Sequence, residues 1–163
     1  MADIVLGIDP GVRGAIAVLN INGDLLSIED MPALPDGAKG RYAVNAPLLA
    51  SAVYKSHAKL AFCELVAARP GEGVVGAFGF GRSRGVIEGV LAAAGIPVVM
   101  LTPPSWKRLV GIQAGTAAPK HAARIEAIRR WPGKADLFAR IKDDGRAEAA
   151  LIGVAGISRE GRP

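Results

Sequence analysis

Ile4-Val5-Leu6-Gly7-Ile8-Asp9-Pro10-Gly11, continuing into Gly14-Ala15-Ile16-Ala17-Val18-Leu19, is the stretch from which the fold can be read. Ile4 to Ile8 is a β-branched and aliphatic run, and Asp9-Pro10-Gly11 is a turn signature, so the run is a strand that ends at Asp9. Gly14 to Leu19 follows as a second strand. Asn22-Gly23 between apolar runs signals a tight hairpin, and Asp24 to Met31 completes a three-stranded antiparallel meander.

Beyond the meander, the Pro/Gly-rich stretch Pro32 to Gly40 reads as a loop. Asn45 is placed to cap a helix through Pro47 to His57. Lys59 to Leu65 is a buried-type strand, Ala67 to Gly73 a loop, Val74 to Ala94 a helix, and Ile96 to Leu101 a further strand. Pro103-Pro104 opens a short helix through Val110, followed by a loop from Gly111 to Ala118. His121 to Trp131 is a basic amphipathic helix stopped by Pro132-Gly133, and Asp144 is placed to cap a last helix reaching Ile157. Strands in hairpin, then strands alternating with helices, imply an α/β domain: a mixed five-stranded sheet with helices on both faces. One domain over residues 1–158 is expected, with 159–163 a frayed tail.

Composition narrows the function. The 163 residues are half hydrophobic and carry 20 Lys and Arg against 15 Asp and Glu, a net charge of +5. That excess leans toward a polyanion. Two Trp, two Tyr and four Phe are few for a protein that stacks bases on aromatic platforms, so a phosphate-reading duplex binder fits better. A single cysteine, Cys63, and two histidines exclude an intramolecular disulfide and a thiolate zinc site. This cysteine usage and the lack of a secretory signal pattern place the expected location in the cytoplasm. Val90 to Leu101, broken by Gly95 and Pro97, is too short to span a membrane, so no membrane partner is expected.

The acids point to the chemistry. Asp9 stands where a central strand ends, at the sheet edge where open α/β folds place ligands, although an Asp before Pro-Gly also simply starts a turn. Glu64 lies in the apolar run Leu60-Ala61-Phe62-Cys63-Glu64-Leu65-Val66. A carboxylate there has to be ion-paired, metal-bound or at an exposed strand end. Asp144 and Glu148 are four residues apart, about 40° around a helix, so both can face one way. Such a like-charged pair repels unless a cation sits between, while an acid in a first helical turn also suits ordinary capping. Taken together, these acids are the ingredients of a two-metal site. Mg²⁺ takes oxygen ligands and keeps waters, and two ions about 4 Å apart serve phosphodiester cleavage.

Ile8-Asp9-Pro10-Gly11 with Gly14-Ala15-Ile16-Ala17, the in-strand Glu64, and Asp144-Gly145-Arg146-Ala147-Glu148-Ala149 resemble the RuvC Holliday junction resolvases, most of all their phage and prophage members. Phe78 to Gly89, Pro104-Ser105-Trp106-Lys107 and Lys120 are similar to that group too, so the likeness spans Ile4 to Gly153. The resemblance implies an RNase H-like fold and a homodimer that nicks four-way DNA junctions symmetrically with two Mg²⁺ or Mn²⁺ per site. By position it makes Asp9, Glu64, Asp144 and Glu148 the metal ligands, with Asp143 competing with Asp144. Lys107 and Lys120 would then contact phosphate, Lys120 steadying charge at the scissile group. Two departures stand out. The last acids are four apart where many bacterial members have three, and Leu65-Val66-Ala67-Ala68-Arg69 lacks the aromatic wedge those members carry.

Lys107, Arg108, Lys120, Arg124, Arg129 and Arg130 cluster between the last strand and the last helix. Lys120 and Arg124, joined by Arg13 and Arg146 from elsewhere, would line a phosphate track beside the acids, whereas Arg129 and Arg130 also suit a solvated face. Gly81, Gly85 and Gly89 form a side-chain-free stripe on one helix. Each costs helix stability, which either close packing on the sheet or close approach of a two-fold partner would offset. Trp106 and Trp131 read as core or hinge residues and not as base-stacking platforms. Competing functions are an RNase H-like nuclease for other branched DNA or RNA, and a non-catalytic DNA-binding domain. An actin-like ATPase is excluded because this chain is too short for two lobes.

Overall fold

The computed structural model describes residues 3–68, 70–113 and 121–161. Its central sheet has five strands: β1 (Ile4–Asp9), β2 (Ala15–Asn20), β3 (Leu25–Asp30), β6 (Leu60–Glu64) and β7 (Val98–Leu101), in the order β3-β2-β1-β6-β7. β1 runs antiparallel to β2 and parallel to β6, and β7 is parallel to β6. The sheet is mixed, as the order of elements implied.

The connection after β3 differs from the expected loop. Ala33–Pro35 (β4) and Tyr42–Val44 (β5) pair as a small antiparallel ribbon of their own. Each is three residues long, too short for alternation to show in a sequence rich in Pro and Gly.

The helices are α1 (Ala46–Ser56), α2 (Val74–Ala93), α3 (Pro103–Leu109), α4 (Ala122–Arg130) and α5 (Asp144–Glu160), with 3-10 turns at Pro132–Phe138 and Ile141–Asp143. Asn45 caps α1 as expected, its side chain accepting from the Leu48 N–H. α5 runs to Glu160, so Arg159 and Glu160 are helical and not part of a frayed tail. Asp144 does not cap α5 either. It is the first helical residue, and its carboxylate turns to another helix.

Strand alternation divides the interior into two cores. Leu6, Ile8, Ile16, Ala61 and Cys63 face Leu49, Val53, Ile87 and Leu91 of α1 and α2. Val5, Ala17, Leu19 and Phe62 face α3, α4 and α5, with Trp106, Leu151 and Ile152 among the buried partners. Helices therefore cover both faces. Period-two alternation also sends Asp9, two residues past Gly7, and Glu64, two past Phe62, toward the α5 side.

α5 lies on the sheet at backbone contact. A Cβ at Gly7 would overlap the Ala149 carbonyl oxygen and the Gly153 backbone, and one at Gly156 would overlap the Phe62 ring. Near the start of the helix, a Cβ at Gly145 would come 2.5 Å from the Arg13 carbonyl oxygen and 3.2 Å from Asp9 Oδ2. These glycines let α5 descend until its first two turns stand beside the end of β1.

Candidate active site

Three carboxylates meet where the parallel strands end. The β1–β6 register pairs Ile8 with Cys63, so Asp9 and Glu64 follow side by side at the carboxyl edge. Glu148, in the second turn of α5, faces them across the layer. Burial, then the Glu64 charge, pushes the Asp9 carboxyl up to about 7, against a single weak backbone donor, the Gly11 N–H at 3.4 Å. Burial also raises Glu148 to about 7, reinforced by Asp9 and Glu64, opposed by Lys107 and raised further by Asp144. Mutual repulsion among half-buried acids is a structural cost that a cation relieves.

Glu64 has a defined partner. The Trp106 indole N–H donates to its Oε1 at 2.8 Å, and Trp106 is fully buried. The next residue, Lys107, holds its Nζ 5.4 Å from the centre of the Trp106 ring and acts electrostatically on Glu148. Cys63 points to the opposite core, and burial pushes its thiol up to about 12, which makes it an inert core residue.

Asp143 and Asp144 are separated by their partners. The Asp143 side chain is buried and accepts from the Arg140 backbone N–H at 2.9 Å and from Arg140 Nη2 at 2.8 Å. Those hydrogen bonds hold its carboxyl below the usual range. Asp144 lies on the acid-cluster side, close enough to act on Glu148, with 43% of its side chain exposed. Arg124 Nε donates to Asp144 Oδ1 at 2.8 Å, and His121 Nδ1 lies 3.1 Å from Oδ2.

The expected basic track is largely committed elsewhere. Arg124 also donates to the carbonyls of Phe138 and Ala139, so it braces α4 against the chain leading into α5. Arg146 forms a two-pronged pair with Asp30 at 2.6 and 2.9 Å. Arg129 and Arg130 both bind Glu126 and form the solvated face that was the other reading of them. Among the described residues, Lys107 acts on Glu148, while the exposed Arg13 comes near α5 through its backbone, its carbonyl abutting Gly145. Lys120 lies outside the described residues, as does most of the 111–118 loop.

Two members of this site, Trp106 as a donor and His121, and the pairing of Arg124 with Asp144 go beyond the sequence reading. Trp106 was read as core or hinge, yet its polar edge serves Glu64. His121 and Arg124 bind Asp144, a pairing invisible without knowing how α4 meets α5. A buried tryptophan immediately after a strand–Pro-Pro corner was the available signal, since a buried indole N–H needs an acceptor.

No family model matches the sequence, and no curated protein matches it. Solved structures do match. The Thermus thermophilus RuvC in complex with Holliday junction substrate superposes with a TM-score of 0.65 at 20% identity, over 98% of this chain and 96% of that one. A second Thermus thermophilus RuvC structure gives 0.64 at 17% identity, over 96% and 95%. The fold is that of RuvC. The likeness takes in nearly the whole of both chains, and the mixed five-stranded sheet with its helices matches the RNase H-like fold of RuvC.

The donor set suits the metal expected of it. The residues offered are carboxylate oxygens with no histidine or thiolate among them, which is the chemistry of Mg²⁺ or Mn²⁺. Among the described residues no three or more His, Cys, Asp or Glu side chains form a group that could hold a metal ion. Mg²⁺ does not call for three such side chains, because it is bound through one or two carboxylates with waters and substrate phosphate completing the shell. Among the described residues no helix is long and apolar enough to cross a membrane.

Proposed function

We propose that this chain is a metal-dependent endonuclease that resolves four-way DNA junctions, working as a homodimer. The observation that carries the reading is the convergence of Asp9, Glu64 and Glu148 at the carboxyl edge of a RuvC-type sheet, with burial raising two of the three. Mg²⁺ or Mn²⁺, two per site, would be held by Asp9, Glu64 and Glu148 with Asp144 as the fourth acid, and when bound supplies an activated water and a steadied leaving oxygen.

The chain's own residues do the rest. Asp9 and Glu64 stand on rigid strand ends, so their oxygens keep a fixed spacing. Glu148 and Asp144 come from one face of α5, and Arg124 with His121 orients Asp144. Lys107 supplies positive charge next to Glu148, where a phosphate oxygen would arrive, and Lys120 is assigned the same task at the scissile phosphate. Asp143, tied to Arg140, is assigned a structural role.

A synthetic four-way junction incubated with Mg²⁺ tests this directly. Paired symmetric nicks are expected, with Asp9→Asn abolishing cleavage by at least about a thousandfold while leaving junction binding intact. Equal cutting of linear duplex, or undiminished cutting by Asp9→Asn, overturns the proposal.

A further inference from the structure

The Glu64 carboxylate is held by a buried side-chain donor, the Trp106 indole, and the backbone explains how. Glu64 is paired with Leu101 in the β6–β7 register, and the Leu65 N–H donates to the Leu101 carbonyl at 2.8 Å. The chain leaves β7 at that point, and Thr102-Pro103-Pro104 turns it at once into α3, with the Trp106 N–H donating to the Thr102 carbonyl at 3.1 Å. Trp106 therefore reaches back to Glu64 over a short and rigid path. Its ring is wholly enclosed by the α3–α5 core and has no freedom to swing away.

An indole nitrogen can only donate, and the Glu64 carboxylate can only accept, so the 2.8 Å contact has one polarity. It occupies Oε1 and leaves Oε2 for other partners. An aliphatic residue of similar bulk would fill the same core volume and leave the carboxylate free to rotate. Lys107 packs over the outer face of the same ring. Two consecutive α3 residues thus address two acids of the site, Trp106 by a hydrogen bond to Glu64 and Lys107 by its charge near Glu148.

We infer that Trp106 is a positioning residue: its indole N–H fixes the Glu64 carboxylate in the orientation that receives the metal, and the same ring senses metal arrival. The inference rests on the metal-site reading above and goes beyond it by assigning a part to a side chain outside the acid set. Partners of this kind typically change metal affinity by about 10- to 100-fold when removed.

Two readouts besides cleavage test it. The chain has two tryptophans, so Trp131→Phe leaves Trp106 as the sole emitter under excitation selective for tryptophan over its two tyrosines. Titrating that metal-free variant with Mg²⁺ is expected to change Trp106 emission with the same midpoint as the rise in melting temperature. Trp106→Phe is expected to shift the Mg²⁺ midpoint of thermal stabilisation upward by at least about tenfold. Benzothienylalanine at position 106, which keeps the two-ring shape and lacks the N–H, separates donor loss from packing loss and is expected to give the same shift.

An unchanged midpoint with benzothienylalanine, or Trp106 emission that stays flat while Mg²⁺ raises the melting temperature, overturns the inference alone. Absence of any Mg²⁺ effect on the unaltered protein overturns the metal-centre reading, and the inference falls with it.

Discussion

Asp9 and Glu148 store an electrostatic cost whose sign can be worked out. Both are carboxyls raised to about 7 by burial and neighbouring charge, above the values near 4 of an unfolded chain. Between pH 4 and 7 the folded protein therefore binds more protons than the unfolded one, and these two groups make stability fall as pH rises through that window. In EDTA, Glu148→Gln is expected to gain stability relative to the unaltered protein as pH goes from 5 to 8, and saturating Mg²⁺ is expected to abolish the difference. Thermal melts of the two proteins at paired pH values check this; a constant offset across pH would place Glu148 outside the cluster. At this scale the sequence was legible for the acids and not for what holds them. Asp9 and Glu64 announce themselves as charges on apolar strands, and Glu148 by its helical spacing. That Asp143 belongs to Arg140 while Asp144 belongs to Arg124 and His121 depends on contacts set by tertiary packing. No spacing rule distinguishes two adjacent aspartates.

Among the elements, α5 decides the site, and its closeness to β1 decides α5. A Cβ at Gly7 would meet only backbone, the Ala149 carbonyl oxygen and Gly153, which cannot yield, whereas one at Gly153 would first meet the movable end of Leu19. Gly7→Ala is expected to destabilise by about 3 kcal/mol, at the upper end of overpacking costs, and to be read as a lower urea midpoint. Gly85→Ala and Gly89→Ala are expected to do the reverse for the isolated chain. A Cβ at either meets nothing within 4 Å, and removing a helical glycine gains up to about 1 kcal/mol. The contrast separates two kinds of glycine that look alike in the sequence. Most elements were readable from periodicity and punctuation, because long apolar runs bounded by Pro, Gly and Asn leave few alternatives. The ribbon of Ala33–Pro35 with Tyr42–Val44 was hidden because its strands are shorter than one full alternation and sit among loop-type residues.

For the molecule as a whole, the open glycine stripe removes one of its two explanations. Gly81, Gly85 and Gly89 do not admit the helix to the sheet, since a Cβ at any of them would meet nothing within 4 Å among the described residues. They belong instead to an uncovered apolar face that includes a groove lined by Tyr54, Gly85, Val86, Gly89, Val90 and Ala93. Val74 is 85% exposed, Phe78 71% and Tyr54 79%, on the same pair of helices, α1 and α2. An apolar face of that kind on a chain with net charge +5 favours association with an apolar partner surface over contact with DNA. A second copy meeting it across a two-fold axis would place two acid clusters on one assembly, which is what symmetric nicking of a junction requires. Sedimentation equilibrium at micromolar concentration is expected to give a dimer, and Phe78→Glu with Gly89→Glu a folded monomer. The monomer is expected to yield singly nicked junctions in place of resolved duplexes, since each site would act without its partner. A charged double variant that remains dimeric, or a monomer that resolves junctions as fast as the unaltered protein, would remove this face from the account of how the two cuts are coupled.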